Sequence, residues 1–90
     1  MNTAFLLMAQ YNGAAVIPLE AVCLDYFSHL TPVQFTRKAT EGDIDLPVVR
    51  IETSQKAARG VHLLDLAAWI DKRREAARKE FDQLHNRFKD

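Results

Sequence analysis

The sequence predicts a mainly α-helical domain with a small β wing and a long C-terminal helix, on three observations. An apolar stripe at helical spacing stops at Ser28-His29 and is followed at once by a strongly punctuated second helix. A β-branched, alternating stretch then has a candidate return strand across a polar loop. Finally, a run free of Pro and Gly carries apolar residues close to a heptad seam to the end of the chain.

Taking the elements in order, Asn2 to Gln10 is short and mostly apolar, with Asn2 or Thr3 as cap and Asn12-Gly13 as the turn that ends it. Ala14 to Ile17 is expected to be extended, because the residue before Pro18 is pushed toward the β region. Pro18 suits a first helical turn, and Glu20 sits well near the positive end of the helix dipole. Leu19, Val22, Cys23, Tyr26, Phe27 and Leu30 make the apolar stripe of that helix.

The next helix, about Thr31 to Glu41, has Thr31 as N-cap, Pro32 at the first helical position and Gln34 completing a T-x-x-Q capping box. Gly42 is placed to stop it in the left-handed conformation. Two helices of this length joined by two or three residues match a helix-turn-helix, which spans Ile17 to Glu52 with its following segment. Leu46 to Glu52 alternates, with Val48 and Arg50 on one face and Val49 and Ile51 on the other. Val61-His62-Leu63 is its expected partner, across a polar tip that carries Lys56 and Arg59. The whole reads as a winged helix-turn-helix.

The last helix begins near Leu64 or Asp65. Leu66, Trp69 and Ile70 are expected to close the core. Ala77, Phe81, Leu84 and Phe88 continue the stripe beyond any core that 90 residues can offer, with Arg73 or Arg74 in the one gap. They either fold back on the N-terminal helix or pair with another subunit. The second is favoured, since an apolar stripe on an isolated helix needs a partner, so a homodimer is expected. The chain divides as residues 1–13, 17–63 and 64–90 of a single domain.

Composition bounds the function. Lys plus Arg equals Asp plus Glu at 12 each, so net charge does not argue for a polyanion, yet no basic residue precedes Arg37. Such asymmetry allows a basic face on a neutral chain. The single Cys23 cannot form an internal disulfide and reads as a buried small hydrophobe in a reducing, cytoplasmic setting. The apolar run Ala4 to Ala9 is too short for a secretory signal or a membrane span. His29, His62 and His85 are scattered without metal-ligand spacing, and no nucleophile or phosphate-loop motif occurs, so neither catalysis nor a metal or other cofactor is expected. Asp43 and Asp45 read as solvated turn acids.

The second helix of the pair is the candidate DNA reader. Phe35 and Ala39 are expected to dock on the preceding helix, leaving Gln34, Arg37 and Lys38 on another face with Thr36 and Thr40 at its edges. In a major groove, Gln suits adenine, Arg suits guanine, and hydroxyls and Lys suit phosphates. Arg50, Ser54, Lys56 and Arg59 on the wing would hold phosphate or minor groove. The run Lys72-Arg73-Arg74 with Arg78 and Lys79 is interleaved with acids and reads as a solvated helix face.

The series Gly42 to Ile51 (Gly-Asp-Ile-Asp-Leu-Pro-Val-Val-Arg-Ile), then Ser54-Gln55-Lys56-Ala57, then Val61 to Arg74 (Val-His-Leu-Leu-Asp-Leu-Ala-Ala-Trp-Ile-Asp-Lys-Arg-Arg) resembles the pyocin activator (PrtN) family. More loosely it is similar to excisionase and MerR-type winged helix-turn-helix domains. The resemblance implies a transcriptional activator of a bacteriocin or prophage-like gene cluster, produced when DNA damage relieves a repressor and bound to promoter DNA. It also implies that Ser54, Gln55 and Lys56 lie in the wing and Arg37 and Lys38 in the recognition helix. Activation requires contact with RNA polymerase or a change in DNA shape. Two other readings of the same residues are an excisionase-like architectural DNA-binding protein and a protein-interaction module that does not bind DNA.

Overall fold

A computed structural model describes residues 2–53 and 57–87, with the side chain of residue 87 excluded. Helix α1 (Thr3–Gln10) is capped by Asn2, whose side-chain oxygen accepts from the Ala4 N–H at 2.8 Å. It ends as expected: Asn12 and Gly13 both take positive φ, 53° and 75°. The Gly13 N–H donates back to the Met8 carbonyl at 2.8 Å, satisfying an orphan helix-end acceptor.

The extended stretch that follows is a strand, β1 (Val16–Pro18), and leads directly into α2 (Leu19–Tyr26). Pro18 therefore flanks α2 from the strand instead of occupying its first turn. Helix α3 (Pro32–Thr40) forms with both halves of the capping box: the Gln34 N–H donates to Thr31 Oγ1 at 3.2 Å, and the Thr31 N–H donates to Gln34 Oε1 at 3.0 Å. Gly42, at φ 84°, closes the helix.

The wing differs from expectation. Strands β2 (Val49–Arg50) and β3 (Arg59–His62) pair antiparallel, but β1 adds to the other side of β3, giving a three-stranded sheet in the order β1-β3-β2. Register places Ile17 opposite Val61, Val49 opposite Gly60 and Arg50 opposite Arg59. Of the predicted strand Leu46 to Glu52 only two residues enter the ladder. Pro47 has no N–H to give, and Leu46 turns into the core instead. Val48 and Val49 are half-buried while Arg50 and Ile51 are exposed, so burial does not alternate along this segment. Pro18 sits at the end of an edge strand, where a missing donor is tolerated. Gly60 lies between Pro18 and Val49. A Cβ there would stand 2.5 Å from the Ile17 carbonyl oxygen, so the close approach of β1 to β3 requires glycine.

Helix α4 (Leu63–Arg87) starts one residue earlier than expected, and the His62 ring nitrogen Nδ1 accepts from the Leu64 N–H at 3.1 Å. Its first turns complete the core: Leu63, Leu66 and Ala67 are buried, with Trp69 and Ile70 packed alongside. Phe27, at the end of α2, joins three elements. Its ring lies 5.0 Å from Phe35 of α3, edge to face, and 4.9 Å from Trp69 of α4. Phe35 and Val22 are fully buried, and Cys23 is buried too. Burial, and to a lesser degree the neighbouring Glu20 carboxylate, pushes the Cys23 thiol above its ordinary pKa.

Side-chain contacts from Asp71 and Lys72 tie α4 to the body. Thr3 Oγ1 donates to Asp71 Oδ1 at 2.6 Å, and Lys72 Nζ meets Asp45 at 2.8 Å. Tyr11 donates to Asp25 at 2.5 Å and Tyr26 donates to Gln10 at 3.0 Å, fastening α1 to α2. Beyond Lys72 the arm leaves the body. At 1.5 Å per residue the 25-residue helix is about 37 Å long, and the molecule extends 59 Å along its longest axis. Phe81 and Leu84 remain 53% and 54% exposed, so the arm does not fold back on α1. Phe88 lies outside the described residues.

Candidate nucleic-acid interface

The cap fixes the start of α3 and Phe35 fixes its rotation. With Phe35 fully buried, the residues on the opposite side at 100° per residue are Val33, Arg37 and Thr40, all exposed. Lys38 is half-buried on the flank toward Ala39. The expected face of Gln34, Arg37 and Lys38 is thus rotated: Arg37 is central and Lys38 peripheral.

Gln34 is exposed, but its amide oxygen is held by the Thr31 N–H. Bidentate reading of adenine uses both ends of the carboxamide, and here one end is already engaged in the cap. Thr36 and Thr40 also turn inward at their hydroxyls, donating to the carbonyls of Pro32 and Thr36 at 2.9 and 2.8 Å. Their outward surface is therefore largely methyl. Val33, 80% exposed, is the most exposed large apolar residue among those described. Sequence reasoning gave it no role beyond being apolar, although its position seven residues before Thr40 and four before Arg37 was a visible signal.

Two grooves flank α3. One runs between α3 and β3 and is lined by Val33, Thr36, Ala58 and Arg59, with Glu20 at its edge. The other runs between α3 and the Leu46 to Arg50 segment and is lined by Thr36, Thr40, Pro47 and Arg50. Thr36 borders both. Arg50, exposed, and Arg59, half-buried, face each other across the β2–β3 ladder, so the wing sets one guanidinium beside each groove. Like charges directly opposite in a sheet repel, and the ion pair found among the described residues is elsewhere, between Lys72 and Asp45. Ser54 and Lys56, with Gln55, lie outside the described residues.

The other candidates stay apart from this face. The acid Asp45 is engaged with Lys72, whose ammonium is held above its ordinary pKa by that hydrogen bond and charge. His62 serves the start of α4. Among the described residues no group of three or more His, Cys, Asp or Glu is arranged to hold a metal. Among them, too, no helix is long and apolar enough to cross a membrane.

A capped, projecting helix that follows a short-turned partner, with a cationic antiparallel hairpin beside it, is consistent with a helix-turn-helix followed by a wing. A family model described as pyocin activator protein PrtN matches residues 3–77, most of the chain, and the protein belongs to that family. The match ends at Ala77, inside α4, so the distal half of the arm lies outside it. No curated protein and no solved structure matches the chain. Membership places the chain among regulators of pyocin genes.

Proposed function

We propose that this protein binds duplex DNA at a promoter element through α3 and the wing, and activates transcription of a pyocin-like or prophage-like gene cluster. Arg37 reads guanine in the major groove at the centre of the exposed face of α3. Lys38 reaches phosphate from the flank, and Arg50 and Arg59 hold the backbone on either side. One observation carries the reading. The cross-strand Arg50–Arg59 pair stands at the two grooves that border α3, so helix and cations address one surface. Family membership supports the regulatory role.

The test is a gel-shift titration on a pyocin-cluster promoter fragment. Replacing Arg37 and Lys38 together with Ala should abolish the shifted band while circular dichroism stays native, because neither side chain is in the core. Retained binding by the double variant overturns the assignment of α3. Binding of neither protein to any duplex would favour the protein-interaction reading.

A further inference from the structure

The distal arm of α4 carries a second surface that the DNA-facing side does not use. From Asp71 to Asn86 every side chain except Ala76 is exposed. The exposed apolar members of this stretch fall on one line: Ala77, Phe81 and Leu84, with Arg74 continuing the line toward Ile70. Charges flank this line in a definite order. Arg73 and Glu80, seven residues apart, share one flank, and Asp71 and Arg78, also seven apart, share the other.

We propose that two copies of the chain associate through these arms in antiparallel orientation, crossing close to Ala77. Antiparallel alignment sets each Arg73 against the partner's Glu80 and each Asp71 against the partner's Arg78, so attraction runs along both sides of the seam. Parallel alignment in register sets Arg73 against the partner's Arg78, a like-charge pairing on both sides. The small Ala77 lets the backbones approach at the crossing, and Phe81 from each arm covers the aliphatic stem of Arg74 on the other. The partner's arm then runs back toward the body near Asp71, where Thr3 anchors the start of α1. Phe5 and Leu6 lie exposed on that helix, 62% and 52%, and extend the apolar surface. The association is independent of whether DNA is bound.

Sedimentation of the full chain over a concentration series tests orientation and occupant together. The wild type should sediment as a dimer at high concentration, and Phe81→Glu should be monomeric with unchanged helicity. Arg73→Glu should raise the dimer dissociation constant about tenfold, since it turns attraction into repulsion at both ends of the crossing. Adding Glu80→Arg to Arg73→Glu should restore it. Tighter association of Arg73→Glu would mean a parallel pair and overturn the proposal, as would a wild type that stays monomeric at every concentration.

Discussion

Arg50 and Arg59 stand directly opposite each other in the β2–β3 ladder, two like charges at a position where proteins usually place complementary ones. The arrangement costs a few tenths of a kcal/mol in water, which a phosphate bound to either guanidinium would offset. Replacing either arginine with Ala should therefore leave the thermal midpoint unchanged or slightly higher. DNA affinity should fall by a similar factor on all sequences, and the slope of log affinity against log salt should flatten by about 0.9 for each phosphate that is no longer neutralised.

Phe27 holds α2, α3 and α4 together by packing against Phe35 and Trp69. Phe27→Ala should cost about 3–5 kcal/mol in denaturant unfolding. Trp69 is the single tryptophan, so its emission reports directly on that junction. In the variant it should shift toward the solvent-exposed value at lower denaturant than in the wild type.

Gly60 has no room for a side chain, because the atom nearest an added Cβ is the backbone oxygen of Ile17. Gly60→Ala should destabilise by about 1–3 kcal/mol through forced separation of β1 from β3. The effect should appear as faster amide exchange at Val61 and His62 while the capped helix α3 stays protected.

Tyr11 gives the fold an alkaline limit. Partial burial, and then its hydrogen bond to the Asp25 carboxylate, raise the phenol pKa well above its ordinary value. The folded state thus keeps a proton that the unfolded chain releases at about pH 10, the ordinary value for a phenol. Stability from this group is complete below that pH and declines as pH rises from there toward the folded pKa. Chemical denaturation at rising pH should show this decline in the wild type, and Tyr11→Phe should remove most of it. An unchanged alkaline decline in Tyr11→Phe would assign it to other groups.

Legibility in the sequence followed the range of the interactions. Thr31, Pro32, Gln34 and Gly42 act within a turn of their own positions, and α3 has the capping box and left-handed stop that those residues predict. Leu66, Trp69 and Ile70 were placed correctly by periodicity. The third strand was missed because β1 is held by β3, far along the chain, and nothing local to Val16–Pro18 announces a partner. The β2 strand was overestimated because Pro47 and the inward turn of Leu46 outweighed β-branched composition. On α3, taking Phe35 as the buried centre would already have moved Lys38 to the flank and brought Val33 outward. The double duty expected of Gln34, cap and base reader, was a conflict visible in the sequence, and the structure shows the cap.

The central claim is that α3 and the wing together bind DNA. Selection of duplexes from a random pool by the full-length protein tests it most directly, with the affinity of the enriched duplex then followed across salt concentrations. The account predicts enrichment of a defined sequence that includes a guanine whose preference disappears in Arg37→Ala. It also predicts a linear fall of log affinity with log salt, with a slope of about −2.7 per bound chain from the phosphate contacts of Lys38, Arg50 and Arg59. A pool that stays random, with a flat salt response, would contradict it.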